Sequence, residues 1–453
     1  MFCVFGGFSL HLQGNHKYVF NPLRTMEKLL HYVWRHRLFP LHPLQTTDGQ
    51  PLEVIDPGFP NADAGPDFFN AKVKVGGTLW VGNVEVHDCA SDWARHGHDR
   101  NPAYDNVVLH VVAEADAVVC RTDGRPIPQL VLPVPDEVRL RYADLCRTDA
   151  LPPCRSVFAA LPPLKIHGWL SALQTERLEQ KAASIRRRLA ACCGDWADAF
   201  FMTLARNFGF GLNADAFEAW ASCLPLRAVD KHRDDLFQVE ALFLGTAGLL
   251  EADLGADGYP ADLRREYRYL RHKFNLPEPM PAARWRFLRL RPGNFPPIRL
   301  AQLAWLYCKE DGLFSRVLEA ETLDEARRLF HARTSPYWAE HFHFHKASPR
   351  RQKTLGARAV DLLVLNTVVP VLYAYGQYRS DEKLCNRAIA FLESLKAEDN
   401  SVVRRWAAAG LPVRSAADSQ ALLQLQTAYC DKKDCLRCRF GYEYLKKQAQ
   451  AGH

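Results

Sequence analysis

Residues 65–87 read GPDFFNAKVKVGGTLWVGNVEVH. Apolar and polar residues alternate on both sides of Gly76-Gly77, the pattern of two strands joined by a tight turn. An acid stands near each outer end, Asp67 and Glu85, and His87 follows two residues later. Whether these three share a face depends on the register. A two-residue turn pairs Val75 with Thr78 and sets Asp67 against Val86. A three-residue turn pairs Lys74 with Thr78 and sets Asp67 against Glu85. Directly opposed residues point to one face, so a one-residue slip exchanges the faces. The three-residue turn gathers Phe69, Ala71, Val73, Leu79 and Val81 on one face. It leaves Phe68, Asn70, Lys72, Lys74, Thr78, Trp80 and Val84 on the other. The two-residue turn instead puts Lys72 and Lys74 beside Leu79 and Val81. The apolar pattern therefore predicts the three-residue register. Asp67, Glu85 and His87 then share one face at one end, with Cβ atoms roughly 5–7 Å apart. Two carboxylates that close repel unless a cation lies between them. Mg²⁺ or Mn²⁺ suits the pair, because a hard ion takes oxygen ligands and keeps waters for chemistry. Two acids facing water at a strand end are the plainer alternative.

Working outward, residues 26–39 carry Leu29, Leu30, Val33 and Trp34 at helical spacing. The Pro-, Gly- and Asp-rich stretch after them reads as loop, with one short strand at LEVI. Beyond the hairpin, NVVLHVVAE, AVVCRT and PQLVLPV read as strands and ASDWARHGH as a short helix. Residues 26–150 thus form an α+β domain with a small mixed sheet. The linker LPPCRSVFAALPPL ends it. From about residue 165 onward the periods are helical, so the rest is all-α. A break at LRLRPGNFPPIRL divides it into 165–300 and 301–453. Residues 1–25 read as a disordered or mis-assigned extension ahead of Met26.

At 453 residues the chain is long enough for two or three domains. Its 48% hydrophobic and 24% charged residues are the mix of an ordinary globular protein. A net charge of +7 permits an anionic partner such as nucleic acid without demanding one. No run of about 18 apolar residues is present, so no transmembrane helix is expected. The N-terminus lacks the basic segment of a signal peptide. Most of the 13 cysteines are scattered singly among apolar residues, which suits a reducing compartment. The expected location is the cytoplasm.

Pro66-Asp67 and Glu85-Val86-His87 resemble the motif of the PD-(D/E)XK phosphodiesterase superfamily, with His87 in place of its Lys. The resemblance covers residues 26–135. It implies a restriction-endonuclease-like fold with a helix before the first strand, here Met26–Phe39. It also implies a nuclease in which Asp67 and Glu85 hold Mg²⁺ or Mn²⁺ and His87 orients or deprotonates water. Glu27 becomes an additional acid. Histidine has a reference pKa of about 6.5 against about 10.4 for lysine. His87 therefore fits a base or a metal ligand, or marks a site that has lost catalysis. That last option gives a nucleic-acid-binding or scaffold protein. The chain as a whole resembles a bacterial family of uncharacterised proteins, from GPDF through DSQAL to the terminal cysteines.

His96-Gly97-His98 has chelating spacing, and with His87 it could hold Zn²⁺. A zinc-dependent hydrolase built on His87, His96 and His98 is a third reading, with Tyr104 nearby as an accessory residue. Alternatively His96 and His98 cap a helix C-terminus. His110, in an apolar strand, reads as a core histidine.

Cys430, Cys435 and Cys438 form C-x₄-C-x₂-C, which is ligand spacing for Zn²⁺ or, second, an iron–sulfur cluster. The fourth ligand is open among Cys385, His341, His343 and His345. Ordinary thiols are the alternative. The helix before them, ADSQALLQLQTAYC, starts at Asp418 or Ser419. Arg284, Arg286, Arg289 and Arg291, interleaved with Trp285, Phe287 and Phe295, suit phosphate contact. A solvated face over core aromatics explains them equally.

Overall fold

The hairpin combines both registers. In a computed structural model, strand pairs Val75↔Thr78, Lys74↔Leu79, Val73↔Trp80, Lys72↔Val81 and Ala71↔Gly82 belong to the two-residue turn. Gly76 and Gly77 both have positive φ, 55° and 87°, as a two-residue turn of the twisted hairpin type requires. The sequence reading of this half is therefore corrected: Lys72 and Lys74 do lie beside Val81 and Leu79. The reason is burial. Leu79 and Val81 are exposed, at 57% and 58%, so their apolar character does not choose the face. Farther out, the register slips by one and Phe68 pairs with Val84. The slip centres on Asn70, whose φ is 57°, in keeping with a β-bulge. Beyond it, Asp67 stands opposite Glu85, as the other register requires.

The structure describes residues 22–40, 43–61, 64–147, 152–251, 257–344 and 346–446. The chain divides into two units, residues 1–159 with 433–453, and residues 160–432. The first unit runs α1 (Pro22–His36), β1 (Leu44–Gln45), β2 (Pro51–Asp56), β3 (Phe59–Pro60), β4 (Phe68–Val75) and β5 (Thr78–Cys89). It continues with α2 (Asp92–Arg95), β6 (Val107–Glu114), β7 (Gln129–Val131) and α3 (Asp136–Cys146). The strand order is β1-β2-β4-β5-β6-β7, with β3 on β4. β5, β6 and β7 are parallel and the other pairs antiparallel. The expected mixed sheet is thus present. AVVCRT adds only an isolated bridge, Cys120↔Pro126.

Helix α1 packs on β5 and β6 and buries Leu29, Leu30, Val33 and Trp34. The Trp34 indole N–H donates to the Pro57 carbonyl at 3.0 Å. This helix begins at Pro22, so residues 22–25 belong to it, and residues 1–21 lie outside the described residues. A second small core holds Trp93, Tyr104, Val107, Val112, Val119 and Ile127. Gly82 lets β5 meet the loop before β6: a Cβ there would lie 2.6 Å from the Asn106 carbonyl and 2.4 Å from Val108.

Among the described residues of the second unit, the regular elements are helical apart from a two-stranded hairpin of His341–His343 with Lys346–Ala347. One core runs from Leu178 to Ala417 without a division at residue 300. The proline-rich break there is a local turn ahead of the buried helix Pro296–Lys309. The C-terminal boundary also moves, since residues 433–453 belong to the first unit. Segment Ala357–Arg379 is long and apolar enough to cross a membrane, which the sequence reading overlooked; 67% of its most apolar window is buried inside the unit.

Candidate metal centre

Four elements deliver the site. β5 alternates, so Glu85 and His87 project to the same face. His110 on β6 is in register with Glu85. Helix α1 presents His31. The turn after α2 returns His96 and His98, separated by Gly97 at φ 75°. That left-handed conformation suits glycine and lets both imidazoles face the sheet.

Asp67 and Glu85 are tied to one another through the backbone. The Asp67 N–H donates to Glu85 Oε2 at 3.1 Å, and the Val86 N–H donates to Asp67 Oδ2 at 3.0 Å. The other Glu85 oxygen, Oε1, lies 3.2 Å from His98 Nε2 and 3.6 Å from His87 Nε2. His87 Nε2 is 3.2 Å from His96 Nδ1. His87, His96 and His98 each bring one ring nitrogen within 4.8 Å of the others. Ligands about 2.1 Å from a cation are separated by about 3.4 Å in a tetrahedron and about 3.0 Å in an octahedron. The three close distances match those edges. The three imidazoles form the group whose ligand atoms all lie within 4.8 Å of one another, and Glu85 Oε1 adjoins two of them, His87 and His98.

The electrostatics favour a cation. Glu85 and His87 are 5% and 3% exposed. Burial raises both carboxyls above their usual range, and Asp67 pushes Glu85 further up. Burial lowers His87 to about 2, reinforced by His110, His96 and His98. It lowers His110 to about 4 and also depresses His98 and His31. The imidazoles of His31, His87, His98 and His110 are thus held neutral, the form that ligates. None of these four therefore supplies a fixed positive charge to the acids.

Surrounding residues orient this set. His87 Nδ1 and His110 Nε2 are 2.8 Å apart. Tyr104 stacks on His98 with centroids 3.8 Å apart, and Trp93 meets His98 and His110. His31 Nε2 lies 3.5 Å from Asp67 Oδ2. Glu27 raises Glu85 and Asp88 by its charge. Asp88 Oδ1 is buried with no hydrogen-bond partner among the described residues, and burial lifts its carboxyl to about 6. The pairing of Asp67, Glu85 and His87 read from the sequence is brought together, and His96, His98, Tyr104 and Glu27 join it. The sequence reading placed His110 in the core and passed over His31 and Asp88. His31 follows Glu27 by one helical turn, a signal that was legible.

The remaining candidates are not part of this group. Arg284, Arg286, Arg289 and Arg291 are exposed, while Trp285 is buried with its N–H on the Ala247 carbonyl. His341 stacks on Tyr337 at 4.2 Å and bonds its carbonyl. His343 lies beside Phe287, and His345 falls outside the described residues. Cys385 and Cys430 belong to the helical unit, whereas Cys435 and Cys438 belong to the first. Cys385 Sγ faces the Tyr373 carbonyl. The helix begins at Ala416, with Ser415 as its N-cap. Asp418 reaches back from inside it to accept the Arg414 N–H at 2.8 Å, and Ser419 is buried.

No curated protein and no solved structure matches the chain. A family model does match, over residues 27–401, which include Asp67, Glu85 and all five histidines of the cluster. The chain belongs to the family described as "Protein of unknown function (DUF2851)".

Proposed function

We propose that the first unit is a metal-dependent phosphodiesterase acting on nucleic acid. The observation that carries this reading is the gathering of Asp67, Glu85, His87, His96 and His98 at one end of the hairpin. The order helix, antiparallel strands, helix, parallel strand suits it, because the PD-(D/E)XK resemblance expects acids on adjacent strands of such a sheet. The net charge of +7 and the exposed arginines at 284–291 suit an anionic substrate.

The donor set departs from a Mg²⁺ site. Two carboxylates alone suit Mg²⁺, but imidazole nitrogens favour Zn²⁺, with Mn²⁺ fitting the mixed set through its oxygen ligands. Glu85, His87, His96 and His98 would hold the ion. When bound, it would supply a water of lowered pKa and offset charge developing on the phosphate. His87 is neutral and so cannot replace the fixed cation that lysine provides; its role is to ligate. His110 holds the His87 ring. His31, half-buried beside Asp67, is placed to accept a proton at Nε2.

The histidine trio also favours a second reading, a zinc-dependent hydrolase of another substrate. One experiment separates them. Full-length protein is incubated with single-stranded DNA, duplex DNA and RNA, each with Mg²⁺, Mn²⁺ or Zn²⁺. Cleavage with Mn²⁺ or Zn²⁺ that disappears in Asp67→Asn and Glu85→Gln is expected. A protein that binds metal at the cluster yet cleaves none of the three belongs to the second reading, or to a binding protein without activity.

A further inference from the structure

The helical unit holds a cleft of about 690 Å³, lined by residues of the helices Trp196–Phe208, Leu226–Asp230, Pro296–Lys309 and Leu313–Glu319. That is the size of an ordinary small-molecule site, roughly 300–1,000 Å³. Gly312, at φ 60°, turns the chain from the third of these helices into the fourth. Phe200, Leu226, Leu313 and Phe314 supply apolar wall, and the Phe200 and Phe314 ring centroids lie 5.7 Å apart.

Two observations point to an occupant. The first is at the buried end. Tyr307 lines the cleft and is 4% exposed, and its hydroxyl has no hydrogen-bond partner among the described residues. Buried polar groups are ordinarily paired with protein, water or ligand. Burial raises this phenol above its usual range, so it offers a proton to an acceptor. The second is at the mouth, where Asp230, Asp234 and Asp311 surround Arg233. Arg233 donates to both Asp230 and Asp311. Asp234 is exposed and makes no ion pair among the described residues. Three carboxylates against one guanidinium leave a surplus of negative charge, in a chain whose net charge is +7.

We propose that this cleft binds a small organic cation: an ammonium on a short aromatic or aliphatic body that carries a hydrogen-bond acceptor at its far end. The ammonium meets Asp234 at the mouth. The body lies against Phe200 and Phe314, whose ring faces also attract a cation. The acceptor takes the Tyr307 hydroxyl proton. A bare metal ion would leave the apolar walls unused, and a phosphate would face the carboxylates. Cys308 also lines the cleft, but burial, with the charges of Glu240 and Asp235, pushes its thiol up to about 12. A protonated thiol is a poor nucleophile, so the cleft binds rather than reacts. This site does not rest on the phosphodiesterase reading.

Calorimetric titration of full-length protein with tyramine at low salt tests it. Phenethylamine, which lacks the hydroxyl, and para-ethylphenol, which lacks the ammonium, are the comparisons. Tyramine is expected to bind one site per chain, at least about twofold tighter than either. Asp234→Asn should weaken tyramine about two- to fivefold and leave para-ethylphenol unchanged. Tyr307→Phe should bring tyramine down to the affinity of phenethylamine. That variant loses no hydrogen bond within the protein, so its thermal midpoint should not fall. The proposal is overturned if tyramine does not bind, or if para-ethylphenol binds as tightly. It is equally overturned if Asp234→Asn or Tyr307→Phe binds tyramine like the parent.

Discussion

Asp67 and Glu85 are linked through backbone N–H groups, since Glu85 Oε2 takes the Asp67 N–H and Asp67 Oδ2 takes the N–H of Val86, next to Glu85, while Glu85 Oε1 faces His98 and His87. The arrangement is pre-set by the β-bulge at Asn70. Without that slip the two-residue turn would set Asp67 against Val86 and point the acids to opposite faces.

Glu85→Gln should separate the two effects of this pair. A buried carboxylate beside another is a liability to the metal-free fold. The variant is therefore expected to be more stable than the parent at pH 8, by on the order of 1–2 kcal/mol in urea unfolding with chelator present. It should also lose metal binding at the cluster. A destabilised variant would show that Glu85 is not strained in the metal-free protein.

The pH dependence follows from the same burial. The folded protein keeps protons on Glu85 and Asp67 at pH values where the unfolded chain has released them. The unfolded state then binds fewer protons, so stability of the metal-free protein falls as pH rises above the ordinary carboxylate range. His87 and His110 are lowered and act in the opposite sense, over the range below about 6.5. A chelated sample should show a thermal midpoint that declines from pH 6.5 to 9. With Zn²⁺ or Mn²⁺ present the decline should vanish, because the bound ion makes both carboxylates stable as anions. A midpoint rising over that range without metal would contradict the account.

His110 touches no candidate substrate position but fixes His87 through Nδ1. It is wholly buried, and its own Nδ1 has no partner among the described residues. His110→Phe should preserve volume, release the His87 ring and lower metal affinity about 10- to 100-fold. Chelator competition measures it. An unchanged affinity would reduce His110 to a packing residue.

Gly97→Ala tests the turn that spaces His96 and His98. A Cβ at Gly97 meets nothing within 4 Å, so the cost is conformational, about 1 kcal/mol for an L-residue at positive φ. Metal affinity should fall by more than stability does, since relaxing the turn separates the imidazoles. Parallel calorimetric titration and unfolding curves compare the two.

Much of this site was legible in the sequence, and the reason is local. Glu85, His87, His96 and His98 lie within 14 consecutive residues, where strand alternation and helix-end spacing govern position. Asp67 was reachable because a hairpin has few registers. The turn half departs from the apolar pattern because Leu79, Trp80 and Val81 are exposed and so do not choose a face; the Gly-Gly turn chemistry sets the register instead. His110 could not be placed, because the register of a parallel pair joined by a crossover is set by tertiary packing. The same holds for the terminal segment, which leaves the helical unit to rejoin α3 over nearly 300 residues of sequence.

The most direct test of the central claim is anomalous scattering from crystals of the full-length protein soaked in Zn²⁺ or Mn²⁺. The account predicts a peak about 2.0–2.2 Å from Glu85 Oε1, His87 Nε2, His96 Nδ1 and His98 Nε2. A map with no peak at that point, while the four side chains keep the positions described here, would contradict it.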